Sequence, residues 1–312
     1  ADFSDIHPET VVVTPRGNWT GKTKGGLILS KDQCQNFHRL PMPFGLSAEI
    51  DHLLHGIEHP NVNSGWVALS PDCQNLVWSV ADMISLPMYA VLHSRDGGET
   101  FAPVKVYGKD GHLLQSSLDT ETYSPHLKVF SDRVNSSIMY GFGEQSRMYI
   151  SLDGGASFYE KDVPEDFPAV EFGLIDCANK TEVRVESGKE GSLYLAVNEH
   201  GLWKMKYNLK TDRISLKRMT APEDTVHRVG LGLLREGGDY FKEDKALYIC
   251  ATLEGDYGFF RSLDQGASWQ KLNLPSQMFG DINSIDGDCR KFGRFYVATG
   301  SFGAIYGEEV PN

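Results

Sequence analysis

Three stretches of the chain repeat one pattern, S-x-D-x-G-x-x-[FW], at residues 94–101, 151–158 and 262–269. A fourth copy at 30–37 carries Cys34 where the others carry glycine. The first residues of the four fall 64, 57 and 111 positions apart, the last interval being close to two repeats of about 55. A further copy is therefore expected near residue 205. There, 201–207 read as a strand before a turn around Thr211 and Asp212, but the box residues themselves have decayed. Repetition at this period marks an array of small supersecondary units, each unable to bury its apolar surface alone.

The residue types of this Asp box suit a tight hairpin. An aspartate can accept backbone N–H groups within a turn, and glycine supplies a positive φ that a β-carbon would penalise. The terminal aromatic opens the next strand and packs inward, while the serine ties the preceding strand to the turn. Ser94, Asp96, Gly98 and Phe101, then Ser151, Asp153, Gly155 and Phe158, then Ser262, Asp264, Gly266 and Trp269 are accordingly read as structural staples. Around the boxes the chain alternates as strands do, at 65–70 and 75–80, 137–142 and 147–151, and 246–251 and 258–262. No segment longer than a dozen residues shows helical periodicity. The pattern predicts an all-β fold, a β-propeller of four-stranded antiparallel blades with Asp-box hairpins. Full blades are expected at 8–40, 64–104, 123–161, 170–217 and 224–272, with about three further strands from 281 to 307. A propeller closes by joining its first and last blades. Five blades and a part, seven if completed, predict that residues 1–312 form one propeller domain lacking its N-terminal strands and a preceding propeller.

The net charge of −12 and pI near 5.3 argue against nucleic acid or an anionic membrane as partner, since phosphate binding needs a basic footprint. A polysaccharide suits this balance better. No run approaches the eighteen apolar residues of a membrane helix, and no signal peptide is visible at the start. The five cysteines, Cys34, Cys73, Cys177, Cys250 and Cys289, form no CxxC pair. The histidines show no H-x-H or H-E-x-x-H spacing, so neither a metal nor another cofactor is implied. His52, His55 and His59 fall in a segment where a short helix is expected, read as a loop insertion over a blade face.

The segments between the boxes resemble glycoside hydrolase family 74, the family of xyloglucanases and related β-1,4-glucanases. The resemblance is carried by Asp132-Arg133-Val134-Asn135 with Met139-Tyr140, by Trp66 to Asp72 with Val77-Trp78-Ser79, and by Gly230-Leu231-Gly232 with Leu247-Tyr248 and Gly258 to Ser262. Gly287 to Arg290, Gly293 to Tyr296 and Gly303 to Gly307 complete it, in register over nearly the whole chain. Cys34, Cys289 and Phe302 depart from the family pattern. The resemblance implies one propeller of a two-propeller enzyme that hydrolyses a β-1,4-glucan such as xyloglucan with inversion. It implies that this chain corresponds to the second propeller, begins after the early segment holding one catalytic carboxylate, and matches neither of the two. The catalytic residues are therefore unknown, and the chain alone is expected to be inactive without a companion propeller. The alternative is a non-catalytic Asp-box propeller binding carbohydrate or protein. Secretion is expected rather than a cytoplasmic location.

Within the chain, Trp66, Trp203 and Tyr257 are candidate stacking partners for pyranose rings, with Asp256 and Glu254 beside Tyr257 as partners for sugar hydroxyls. Trp66 and Trp203 also fall on strands, where inter-blade core is the favoured reading. Asp281, Asp286 and Asp288 could form a carboxylate pair, although turn aspartates more often cap their own backbone.

Overall fold

A computed structural model of the protein describes residues 1–15, 26–40, 62–82, 91–115, 127–143, 145–170, 172, 181–277, 279–300 and 302–308. All regular structure among them is β-strand. The first blade comprises β1 (Asp2–Phe3), β2 (Val11–Val13), β3 (Ile28–Ser30) and β4 (His38–Arg39). The second comprises β5 (Val62–Leu69), β6 (Leu76–Asp82), β7 (Val91–Ser94) and β8 (Ala102–Pro103). A hairpin follows, β9 (Lys105–Tyr107) and β10 (Leu113–Gln115), and then the third blade, β11 (Lys128–Ser131), β12 (Met139–Phe142), β13 (Met148–Ser151) and β14 (Ser157–Lys161). Its outer strand β14 takes up β9 in parallel, Phe158 opposite Val106, so this sheet has six strands. Blade four is β15 (Glu182–Val185), β16 (Ser192–Ala196), β17 (Leu202–Asn208) and β18 (Arg213–Arg218). Blade five is β19 (Thr225–Gly232), β20 (Ala246–Leu253), β21 (Asp256–Ser262) and β22 (Gln270–Lys271). The last sheet has three strands, β23 (Ile282–Gly287), β24 (Phe295–Thr299) and β25 (Ala304–Gly307).

These sheets are propeller blades, and they fall where the repeat spacing puts them. The chain divides into two compact units, Ala1–Val163 with Ala169–Asn179, and Pro164–Pro168 with Lys180–Asn312. Blades one to three lie in the first unit and four to six in the second. Within each unit, successive blades bury their facing sides together. Val12, Leu29 and Leu40 of blade one meet Leu69, Leu76 and Trp78 of blade two, whose other face, through Ala68, Val77 and Val91, meets Val129 and Met139 of blade three. In the second unit Tyr194 and Leu202 meet Leu247 and Phe260, and Tyr248 and Phe259 meet Ile285 and Val297. A strand covered on both faces reads as continuously apolar. Met139, Tyr140, Gly141 and Phe142 are accordingly all buried, as are Ser192 to Ala196.

Within each unit the first strand of a blade lies beside the first strand of the next without a shared ladder. Carboxylates cap the N–H groups this leaves, which would otherwise be costly in a buried setting. Asp2 Oδ2 accepts from Leu69 N at 2.8 Å, Glu182 Oε2 from Val229 N at 3.0 Å, and Asp286 Oδ1 from Leu231 N at 2.8 Å.

All four boxes sit at the turn between the third and fourth strands, and they share one set of bonds. In the second blade Ser94 Oγ donates to Asp96 Oδ1 (2.7 Å) and accepts from Gly98 N (2.8 Å), while Asp96 accepts from Thr100 N (2.9 Å). Ser151, Asp153, Gly155 and Ser157 repeat this, as do Ser262, Asp264, Gly266 and Ser268. The box glycines have φ of +96° at Gly98, +94° at Gly155 and +83° at Gly266. Each leans on the preceding blade: a β-carbon on Gly98 would lie 2.6 Å from Leu40 Cδ1, and one on Gly155 2.0 Å from Val77 Cγ2. Cys34 keeps the bond to Ser30 Oγ (3.0 Å) at a φ of 66°. It is exposed, in the first blade of its unit, which explains how a side chain is tolerated there.

Blade four has replaced its box. Asn208 Oδ1 accepts from Lys210 N and Thr211 N, and Asp212, at a φ of 53°, accepts from Tyr207 Oη. Beside it Glu186, fully buried, accepts from Ser192 Oγ (2.6 Å) and pairs with Lys189 (3.0 Å) and Lys204 (3.3 Å). Lys204 reaches Gln265, inside the box of blade five, so charge joins these two blades where the box is lost.

Three of the box carboxyls are more acidic in the folded chain than an ordinary aspartate. Asp32, held first by Asn36 N, is lowered to about 2, as are Asp96, held by the Thr100 hydroxyl and N–H, and Asp264, held likewise by Ser268. In the unfolded chain such a carboxyl takes up its proton near 3.8. The stabilisation is therefore complete above about pH 4 and is lost as pH falls towards 2. The urea midpoint is expected to fall across that window, and to fall less steeply when Asp32, Asp96 and Asp264 are all changed to asparagine. An identical acid profile in the triple variant would refute the assignment.

Candidate functional site

The blades have two unlike ends. At one lie the boxes and the turns between first and second strands, stapled by their own aspartates. At the other lie the turns between second and third strands and the links from blade to blade. In the first unit most of those links fall outside the described residues, including His52, His55 and His59 with the helix expected there, and Cys177 lies in another. In the second unit this end is described almost throughout, and it holds Asp256 and Tyr257.

The β20–β21 hairpin turns at Glu254, with a φ of 50°, and Gly255, so that Asp256 enters β21 exposed and opposite Leu253. Asp256 Oδ1 pairs with Lys271 Nζ at 2.5 Å. Tyr257 beside it is half-buried against the Tyr248 and Phe259 cluster, with its hydroxyl 3.3 Å from Cys250 Sγ. Burial, then the Cys250 contact, pushes its pKa upward, so it is a neutral donor at any ordinary pH. Its ring lies 6.2 Å from that of His227, whose Nδ1 is 3.3 Å from Asn198 Oδ1. Asn198, in the turn before β17, exchanges two backbone bonds with Val226. A row of hydrogen-bonding groups thus runs across two adjacent blades. His227 and Asn198 were not foreseen, because the pairing that joins them spans separate hairpins and has no local signature.

The two tryptophans behave differently from ligand platforms. Trp203 is only 4% exposed, donates through Nε1 to the carbonyl of His200 at 2.8 Å, and takes the edge of Phe167. It is core, as favoured for a tryptophan on a strand, and not a stacking surface. Trp66 in the first unit is half-buried, with Lys128 Nζ 4.1 Å from its ring centre and Phe130 at 6.0 Å. The cation already occupies a face that a sugar would need.

Two of the aspartates near the C-terminal end have structural partners of their own. Asp286 caps Leu231 N. Asp288 accepts from Arg290 N, Lys291 N and the Tyr296 hydroxyl, and although burial opposes ionisation, these bonds hold its pKa below the usual range. Glu182 is the one described carboxyl whose pKa is raised, by burial, against the pull of Arg184 at 2.8 Å. Its Oε2 is committed to Val229 N, so it serves the fold. Among the described residues no group of three or more His, Cys, Asp and Glu side chains is placed to hold a metal ion.

No protein-family model matches the chain. A xyloglucanase of Paenibacillus sp is 28% identical over 316 residues, which is 99% of this chain and 25% of that protein. Xyloglucanase Xgh74A of Acetivibrio thermocellus is 36% identical over 181 residues, 58% of this chain and 19% of its own length. The chain thus spans about a quarter, or less, of the length of these relatives. Among solved structures, the GH74 xyloglucanase from Xanthomonas campestris superposes with a TM-score of 0.70 at 23% identity, over 99% of this chain and 36% of that one. At that identity the likeness concerns the fold. Over almost its whole length the chain is thus similar in sequence to a xyloglucanase, and it shares its propeller fold with a GH74 xyloglucanase.

Proposed function

We propose that the chain is one propeller of a secreted β-1,4-glucan hydrolase whose substrate is xyloglucan and which acts with inversion. Similarity to a xyloglucanase along 99% of the chain is the observation that carries this reading. Residues 1–312 act as a single propeller domain in it, alongside a companion propeller. Inversion needs two carboxyls, an acid and a base, set far enough apart to admit a water. Asp2, Glu182 and Asp286 are committed as strand caps and Asp32, Asp96, Asp153 and Asp264 as turn staples, which favours a catalytic pair made of other carboxylates. The loop end of the second unit then faces the glucan, with the exposed Asp256 accepting from sugar hydroxyls and Tyr257 donating beside it. Trp203 supports that end from within the second unit, its Nε1 bonded to the carbonyl of His200. A polymer substrate of this size goes with an extracellular location, and no described helix is long and apolar enough to cross a membrane.

The chain alone is expected to bind xyloglucan oligosaccharides weakly and to release no reducing ends, while addition of the companion propeller restores hydrolysis. Asp256→Ala should weaken oligosaccharide binding by about 2- to 10-fold, the worth of one or two hydrogen bonds, with Asp256→Asn closer to the parent. Hydrolysis by the isolated chain would overturn the placement of the catalytic pair. Binding without hydrolysis in every combination would favour a non-catalytic binding module, and absence of any binding would remove xyloglucan as the ligand.

A further inference from the structure

Six or seven residues join the first strand of a blade to its second at 4–10, 70–75, 132–138, 186–191 and 288–294, but thirteen do so in blade five, at 233–245. The shorter turn is enough to close a blade, and an ordered insertion at such a place is a usual carrier of function. This one is fixed from within and from beneath. Asp239 opens a single helical turn: its carbonyl accepts from Lys242 N and Glu243 N, and its Oδ1 from Phe241 N at 3.0 Å. The Phe241 carbonyl rests on Gly188 of blade four, where φ is +75° and a β-carbon would lie only 1.8 Å from that oxygen. Lys189 pairs with Asp244, and the buried Lys245 donates to the Glu243 carbonyl at 2.7 Å. Lys245 Nζ also lies 4.8 Å from the Tyr240 ring centre. Tyr240, with a face so occupied, meets Phe241 edge to face, at 5.4 Å and 85°. Phe241 itself stays 47% exposed, on the box end of the second unit.

The charges around this ring are satisfied by one another, Arg235 by Glu243 and Lys242 by Asp239. A stable protein interface buries about 800 Å² per partner, whereas one phenylalanine supplies about 150–250 Å². A neutral ligand the size of one sugar ring fits both conditions, because a pyranose offers an apolar C–H face to a flat aromatic one. We propose that Phe241 is a second glucan-docking platform, at the end of the blades opposite Asp256 and Tyr257, on which one pyranose ring of the polymer stacks. Tyr240 is its positioning residue, holding the Phe241 ring at a fixed angle. The inference rests on the glucan reading of the chain and adds a site to it. One polymer carries many such rings, so a second contact on the same molecule raises apparent affinity without tightening either site.

The test follows the backbone amides of the 312-residue protein by NMR as xyloglucan oligosaccharide is added. Shifts are expected at 237–245 that persist in Asp256→Ala and vanish in Phe241→Ala, while shifts at 254–257 behave in the opposite way. Phe241→Trp should keep the response, and Phe241→Leu, apolar but not flat, should lose it. Tyr240→Ala should weaken it and Tyr240→Phe, which keeps the edge-to-face contact, should restore it. In native gels cast with xyloglucan polymer, Phe241→Ala should lower the apparent affinity about 3- to 10-fold. Its urea midpoint should stay that of the parent, because the seat on Gly188 is made by backbone. Shifts at 254–257 with none at 237–245 would overturn this site and leave the glucan reading standing. Shifts at 237–245 alone would support this site and take the sugar away from the Asp256 hairpin, and silence at both would overturn both. Concentration-dependent dimerisation abolished by Phe241→Ala would give the ring to a second copy and overturn the proposal as well.

Discussion

Replacing Phe158 by alanine should lower the stability of the first unit by about 3–5 kcal/mol, the usual cost of emptying a phenylalanine site in a core. Phe158 has no exposed surface and sits where blade two, blade three and β9 meet: Val77 and Val91 lie on one side, Met139 and Tyr149 on another, and Val106 opposite it in register. Such a site cannot collapse without moving two sheets, which puts the effect towards the upper end of the range. The urea midpoint followed by tryptophan fluorescence, with Trp66 and Trp78 as reporters in that unit, measures it. Phe101→Ala, at a half-buried position, should cost less. A loss below about 1 kcal/mol at Phe158 would contradict its role as the element that closes the blade.

Gly230→Ala should be nearly as severe, at about 3 kcal/mol, by overpacking rather than by cavity. In β19 a β-carbon at Gly230 would stand 2.4 Å from Asp286 Cα and 2.4 Å from the Ile285 carbonyl oxygen. Gly232 and Gly287 face each other just as closely, at 2.9 and 2.5 Å. The obstacle is backbone, which cannot rotate aside. Separating β19 from β23 would also break the bond from Leu231 N to Asp286. Gly300→Ala is the control, since its added carbon would find only ordinary contact at 3.4 Å and the backbone there is not left-handed. Equal stability of the two variants would show that the inner strands tolerate more separation than their geometry suggests.

The blades were legible because their signals are local. Box residues lie within eight positions, and strand alternation within six, so the sheets appear where spacing puts them. Glycines at 98, 155 and 266 were readable for the same reason. What escaped notice depends on partners remote in the chain. The β9–β10 hairpin joins blade three through a parallel pairing across about 50 residues, and nothing in 105–115 announces it. Trp203 and Trp66 sit on strands that can present either face, and only the positions of Phe167 and Lys128 decide which is covered. Asp286 looked like a chemical group because a cap on a neighbouring blade leaves the same local sequence as a catalytic carboxylate. The row from Asn198 through His227 to Tyr257 was invisible for a related reason, being assembled from three hairpins.

The caps between inner strands have a consequence for how such a molecule can be divided. Neighbouring blades within a unit are joined by packed side chains, by Asp2, Glu182 and Asp286 reaching across, and by isolated main-chain bonds such as those between Asn198 and Val226, and not by a continuous ladder. A boundary drawn between two such blades therefore severs no ladder. Each sheet keeps its own ladder, and a blade can be duplicated, lost or encoded on a separate gene while the cut surface is repaired by a few carboxylates. Modularity of this kind makes blade number an evolvable quantity, adjustable in units of about 55 residues.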